Sequence, residues 1–274
     1  MSEDPNRSRL VLRGVDAVLA CVKHHPRALR EVTMTRRGEE ALSAHAESLR
    51  ALGIPLRTVH DSEMSKIAEG PCDDVCAVTF RPEPGLARVG DFTEWRDGHE
   101  TVVIADGLER PSDLAALARS MSAFGLRRLL LSSGSERLAH DADAWAMAEG
   151  ALEEVIIMRA AALGGLLGLV QDRCCVVALS PTEGRKIDLA VPVRVPGRHV
   201  ALLVSGGELN PDLRSKVAHC FRFPGHPDRR RLSLAEAFPV VAAWATASPA
   251  PRKDGFLARK RARHRKDKES NPGL

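Results

Sequence analysis

Three short segments, far apart along the chain, carry side chains and backbone of the kinds that do chemistry. The first, DGLERPSDLAALARSMSAFG (residues 106–125), places Arg119 on what reads as a helix. A guanidinium stays protonated in nearly all protein settings, so it positions a hydroxyl or a phosphate and does not take a proton. The second, LLVSGGELNPDL (residues 202–213), sets Gly206, Gly207 and Glu208 at the end of an apolar run. Glycine at a strand end lets backbone come close to a bound cofactor, although a plain turn has the same signature. The third, FPGHPDRRRLSLAEAFPVV (residues 223–241), puts Arg229, Arg230 and Arg231 just ahead of a helix start. Those arginines are either a phosphate contact or a solvated charge run.

The elements around these segments alternate strand and helix. From Thr101 onward, TVVIA, LRRLLLS, EEVIIM, RCCVVAL and HVALLVS read as buried strands. Leu114, Leu117, Ala118, Met121 and Phe124 trace one apolar helix face between the first two. Apolar strands separated by such helices predict a mostly parallel sheet with helices on both faces. Residues 10–81 read as a smaller α/β unit. In it, a helix around Val15–Val22 is followed by the strand EVTMT and a helix over residues 39–52 ended by Gly53. After these come the strand IPLRTVH, a capped helix with Asp61 or Ser62 near its cap, and the closing strand DVCAVTF. Pro82, Pro84, Gly85 and Gly90 mark a linker over residues 82–98. The expected division is thus 1–81, the linker, 99–247, and a tail over 248–274.

Several function classes are excluded. No Gly-x-Gly-x-x-Gly follows the first strand of the larger unit, where DGLERPSD stands, and LSPTEG lacks the lysine and glycine spacing of a phosphate-binding loop. No His/Asp/Glu cluster has metal-ligand spacing, and His24 and His25 read as surface residues near a helix end. The six cysteines form no zinc-type pairs and read as reduced core residues of a cytoplasmic protein. No apolar run approaches the ~20 residues that span a bilayer, and MSEDPNRSRL has no signal core. With no Tyr and 4% aromatics, Trp95, Trp145 and Trp244 read as packing residues.

Taken in order, the three segments resemble the signature motifs of the SpoU/TrmH-type RNA 2'-O-ribose methyltransferases of the SPOUT superfamily. The first family motif is approximately Asn-x-Gly-x-x-x-Arg; here Arg119 is kept, while Asp113 and Ala115 replace the Asn and Gly. SMSAFG continues the match, and Gly150-Ala151 repeats a small-residue step before the next strand. Gly206 and Glu208 match the second motif, whose later glycines are missing. Phe223-Pro224 and Leu232-Ser233-Leu234-Ala235 match the third, with Ser233 and Ala235 for its Asn and Ser, and Pro239 for a glycine. Proline there predicts a kinked or shortened helix.

The resemblance implies a trefoil knot, S-adenosyl-L-methionine as cofactor, rRNA or tRNA as substrate, no metal, and a homodimer with the site near its interface. It implies that Gly206, Phe223 and Leu232 hold the cofactor, that Arg119 and Glu208 serve the ribose, and that the first unit binds RNA. The five departures leave open a relative that keeps the scaffold and binds RNA without turnover.

Charge is unevenly spread. Residues 248–274 hold nine Lys and Arg against three Asp and Glu, a net +6, which leaves −2 for residues 1–247 given the chain total of +4. A basic, apolar-poor tail fits a polyanion partner. Deleting residues 248–274 is expected to weaken RNA binding and to flatten its dependence on salt, because each lost phosphate contact removes released counterions. A filter-binding series over salt concentration measures both, and an unchanged slope would mean that the tail touches no phosphate.

Overall fold

Near the N-terminus the chain alternates strands with short helices: β1 (Arg7–Arg13), α1 (Val15–His24), β2 (Leu29–Met34), α2 (Arg36–Leu42), α3 (Ala46–Ala51), β3 (Leu56–Thr58), α4 (Asp61–Ile67) and β4 (Val75–Pro82). The computed structural model of the protein describes residues 7–93, 101–181, 183–188, 199–205, 207–222 and 232–247. The four strands form one sheet in the order β1-β4-β2-β3, antiparallel except for the β2–β3 pair.

The helix expected over residues 39–52 is two helices. It begins early because Thr35 caps α2, its hydroxyl accepting from the Gly38 N–H at 3.2 Å. Gly38 must lack a side chain, since a Cβ would lie 2.3 Å from the Asp74 carbonyl oxygen. It breaks at Ser43, whose hydroxyl donates to the Glu40 carbonyl at 2.8 Å and starts a short 3-10 turn. The cap of α4 is His60, directly before Asp61, and its Nδ1 accepts from the Ser62 N–H at 3.3 Å.

The second sheet is built from β5 (Gly85–Leu86), β6 (Thr101–Asp106), β7 (Arg128–Leu131), β8 (Ile156–Arg159), β9 (Cys174–Ser180), β10 (Arg185–Lys186), β11 (His199–Ser205) and β12 (His219–Arg222). Their order is β10-β12-β9-β11-β6-β7-β8-β5, and every pairing among them is parallel. The expected linker therefore contributes an edge strand. Residues 94–98 lie outside the described ones.

Side-chain alternation splits the core into two layers. On one face Val103, Ala105, Leu129, Leu131, Val177 and Leu202 pack under α6 (Pro111–Ala123), α7 (Ala142–Met147) and α10 (Leu234–Thr246). On the other, Val102, Ile104, Leu130, Val176 and Ala201 meet α5 (Gly90–Thr93), α8 (Leu163–Val170) and α9 (Pro211–Lys216). Leu114, Leu117, Ala118 and Met121 of α6 are fully buried, each large one stabilising the fold by about 2 kcal/mol. Phe124, expected on that face, falls at the helix end and is 37% exposed. Pro239 does not shorten α10, which runs on to Thr246. Trp145 and Trp244 are packing residues, and five of the six free cysteines are buried.

The two sheets share the first of these cores. Their contact runs from α1 to a 3-10 turn over Ala151–Glu154. Gly150, which opens that turn, has φ 89°, and a Cβ there would lie 2.6 Å from the Ala20 Cβ and 2.9 Å from the Asp16 carbonyl oxygen. Gly150→Ala combines a left-handed backbone with overpacking, each costing roughly 1–3 kcal/mol. Urea denaturation of this variant is expected to give a loss of about 3 kcal/mol, and a loss under about 1 kcal/mol would show that the contact adjusts freely.

Candidate functional site

Helix α6 carries the first motif. Pro111 opens it, and Asp113 in its first turn faces the positive end of the helix dipole. Arg110 grips Asp113 with two hydrogen bonds, 2.9 and 3.0 Å long, from Nε and Nη2. The carboxylate in turn pushes the Arg110 guanidinium further up. The extra negative charge at this position is thus neutralised within the motif. Ala115, in place of glycine, is buried against the core.

Arg119 lies about two turns further on, roughly 12 Å along the axis from Pro111, and so stands away from the strand ends. Its Nη2 is 3.4 Å from Oε2 of Glu149, and both side chains are more than half exposed. Glu149 holds φ 51°, rare for a residue with a side chain, immediately before Gly150. Arg119 and Glu149 border a cavity of about 640 Å3 that is also lined by Ser122, Phe124, Ala235 and Pro239. Pro239 has no N–H to give the Ala235 carbonyl, which leaves that acceptor without its helical donor beside the cavity.

The second motif lies at the carboxyl edge of the larger sheet. Register places Ser205 of β11 beside Asp106 of β6, so the loops after both strands leave from neighbouring positions. Glu208 is exposed on this loop and does not line the Arg119 cavity. Gly206 lies outside the described residues. Around it the loop is tied down: the Gly207 N–H donates to Ser205 Oγ at 3.3 Å, and the Leu209 N–H donates to Glu183 Oε1 at 3.3 Å. Ser180 Oγ, fully buried at the end of β9, donates to the Gly207 carbonyl at 3.5 Å. Ser180, Glu183 and Ser205 were not singled out in the sequence. Ser180 and Ser205 each end a buried strand as its polar residue, whereas Glu183, in the loop after β9, carries no such signal.

For the third motif, Phe223 also lies outside the described residues. Leu232 is half-buried against the core just before α10. The helix start is a capping box, in which Ser233 Oγ accepts from the Glu236 N–H at 3.3 Å and the Ser233 N–H donates to Glu236 Oε2 at 2.7 Å. Phe221 of β12 meets Trp244 of α10 edge to face at 5.3 Å, which fixes the helix against its strand. Strands β12, β9, β11 and β6 are consecutive neighbours. Parallel pairing sends the loops after all four from one edge, where open α/β sheets bind ligands. The Glu208 loop leaves that edge after β11, whereas Arg119 belongs to the helix layer; Leu232 follows β12 in the chain, but residues 223–231 between them lie outside the described ones.

His25 is a surface residue at the end of α1, as expected, and it has a partner. Its Nδ1 lies 2.7 Å from Oε2 of Glu153, whose side chain is almost wholly buried and whose other oxygen meets Arg81. Among the described residues no group of three His, Cys, Asp or Glu could hold a metal ion.

The model of the SpoU rRNA Methylase family matches residues 100–243. Among solved structures, the chain is similar to the SpoU methyltransferase AviRb from Streptomyces viridochromogenes, in complex with AdoMet. Identity is 17%, with 87% of this chain and 89% of that one covered and a TM-score of 0.67. It is similar to an AdoMet-bound rRNA methyltransferase from Sinorhizobium meliloti, at 17% identity, 86% and 85% coverage and TM-score 0.67. An RNA 2'-O ribose methyltransferase matches at 18% identity, 86% and 87% coverage and TM-score 0.61. At such identities these structures establish the fold. No curated protein matches the chain in sequence. With more than half of its length matched by the family model, the chain belongs to the SpoU rRNA methylase family.

Proposed function

We propose that this chain is an S-adenosylmethionine-dependent methyltransferase acting on a ribose 2'-hydroxyl of rRNA or tRNA. The observation that carries the reading is the convergence of the loops after β6, β9, β11 and β12 on one sheet edge, within a chain matched to the family over residues 100–243. AviRb and the Sinorhizobium meliloti enzyme bind AdoMet, and the described residues fit the same cofactor. The loop at Ser205–Leu209 offers main-chain groups that buried Ser180 and half-buried Glu183 hold in place. Gly207 has open space where a Cβ would stand. Leu232 offers an apolar wall, with Gly206 and Phe223 completing the set on the family pattern.

The cofactor supplies a methyl group on a positively charged sulfur. In the reaction the ribose oxygen forms a bond to the methyl carbon, the carbon–sulfur bond breaks, and the hydroxyl proton leaves to solvent. The protein orients and desolvates the hydroxyl rather than activating it by deprotonation. Arg119, permanently charged, holds the ribose or its phosphate, and Glu149 keeps the guanidinium turned toward the cavity. Glu208 positions the hydroxyl from the facing loop. Because Arg119 and Glu208 lie on different layers of one protomer, the reading includes the homodimer that the family pattern implies. A second copy would bring another Arg119 to the sheet edge. The C-terminal trefoil knot and an RNA-binding role for the first sheet belong to the same reading.

Isothermal calorimetry with S-adenosylmethionine is expected to give one site per chain, and no heat at millimolar cofactor in folded protein would remove the reading. Arg119→Ala is expected to leave that heat intact and to lower kcat at least about a hundredfold, the scale of losing one orienting group. Light scattering should give twice the chain mass. A monomer that still methylates RNA would refute the shared site.

A further inference from the structure

A second cavity, of about 410 Å3, opens where α1 and α6 both end. Lys23, His24 and His25 line it from the first sheet's side, and Arg127, Glu153 and Glu154 line it from the second. We infer that this cavity takes a backbone phosphate of the RNA strand that continues from the target ribose, clamped between Lys23 and Arg127. The inference rests on the RNA methyltransferase reading and deepens it.

The two carboxylates do not make the cavity hostile to an anion, because both are already engaged. Glu153 meets Arg81 on one oxygen and His25 on the other. Glu154 accepts from the Ser122 hydroxyl and lies 3.7 Å from Nε2 of His24. Lys23 and Arg127 are exposed, and neither forms an ion pair with any described residue. Counting Arg81, the cavity has one cation in excess even with both histidines neutral.

The ends of α1 and α6 add partial negative charge here, which opposes an anion. In α1, Lys23 and His24 occupy the last turn and offset it. In α6, the last carbonyls are taken by the N–H groups of Phe124, Gly125 and Leu126. Dipole compensation accounts for Lys23 and His24; it gives no reason for Arg127, which stands outside any helix. A phosphate between the two walls accounts for both free cations.

Continuity is the second argument. Ser122 and Glu154 line this cavity and the Arg119 cavity alike, so one strand can pass from one to the other. A ribose held at Arg119 would place its neighbouring phosphate next to Lys23 and Arg127. The junction between the sheets would then read strand geometry beside the target without contacting bases.

The test is the double variant Lys23→Gln, Arg127→Gln of the full chain, with total RNA in a filter-binding assay over a range of salt. Both side chains are exposed, so folding should be unaffected, with unchanged thermal melting as the control. Affinity is expected to fall roughly tenfold and the magnitude of the salt slope to decrease by about 0.7, the share of the one lost phosphate contact on a single strand. A wild-type slope in the variant overturns the inference and leaves the methyltransferase reading standing. Failure of the wild-type chain to bind RNA overturns both. Heat from inorganic phosphate alone that disappears in the double variant would assign the cavity to a free anion and overturn the RNA assignment.

Discussion

The buried carboxylate of Glu153 is the constraint on which the arrangement of the two sheets depends. It belongs to the second sheet's layer, but its two oxygens are taken by Arg81 and His25 from the first. A carboxylate removed from water is strongly destabilising unless it is paired and hydrogen-bonded, and losing one partner of such a pair costs about 3–5 kcal/mol. Apolar contacts between α1 and the turn at residues 151–154 would tolerate sliding, since they have no direction. The ion pairs do not. Arg81 also lies over the Trp145 ring, with Cζ 4.7 Å from its centroid, so its guanidinium is held by an aromatic face as well as by charge. Beside it, burial and the Glu153 charge push the Cys21 thiol up to about 12. The thiol therefore stays neutral at physiological pH and adds no second negative charge to the network.

Under the proposed function this junction matters because both cavities open along it. Gly150 brings α1 into close contact, and Glu149, strained at positive φ, presents its carboxylate to Arg119 from the same turn. One bend in the chain thus sets the distance between the sheets and the direction of the arginine. Strain of this kind persists where the surroundings over-determine the backbone. Here the surroundings are the Glu153 ion pairs on one side and the α6 core on the other. Arg13 makes a comparable bridge to Asp143 further along the same junction.

Much of the larger sheet was legible because its strands are covered on both faces. TVVIA, RCCVVAL and HVALLVS admit no polar alternation, and their lengths exclude helices. By contrast, β1 reads RSRLVLR, a charged sequence with no such signal, because Arg13 is buried by an ion pair and Arg9 reaches Glu69 at 2.7 Å. The helix expected over residues 39–52 failed at Ser43, where a local hydroxyl bond competes with the backbone. The Glu153 network was illegible for another reason. Its members lie 72 and 128 residues apart, and nothing local marks a glutamate in ALEEVIIM as buried. Arg119 was found through its motif, but its partner Glu149 belongs to a turn that no periodicity describes.

The departures from the family pattern look different once their neighbours are known. Asp113 carries a charge where the pattern has a neutral amide, yet Arg110 cancels it within three residues. Ser233 replaces an amide at the start of α10 and still caps the helix, because a hydroxyl accepts from the third N–H as well as an amide oxygen does. Ala115 fills the core where glycine would leave a gap. Pro239 stays inside an intact helix and only removes one donor. In each case the substitution keeps what the position does for the backbone, while the polar contacts of the sheet-edge loop come from main-chain groups held by Ser180 and Glu183. A site that uses backbone in this way can drift in side-chain identity while its geometry holds. Arg119 is the exception. No backbone group can replace a permanent positive charge, so under the proposed function that side chain is the one whose loss the scaffold cannot compensate.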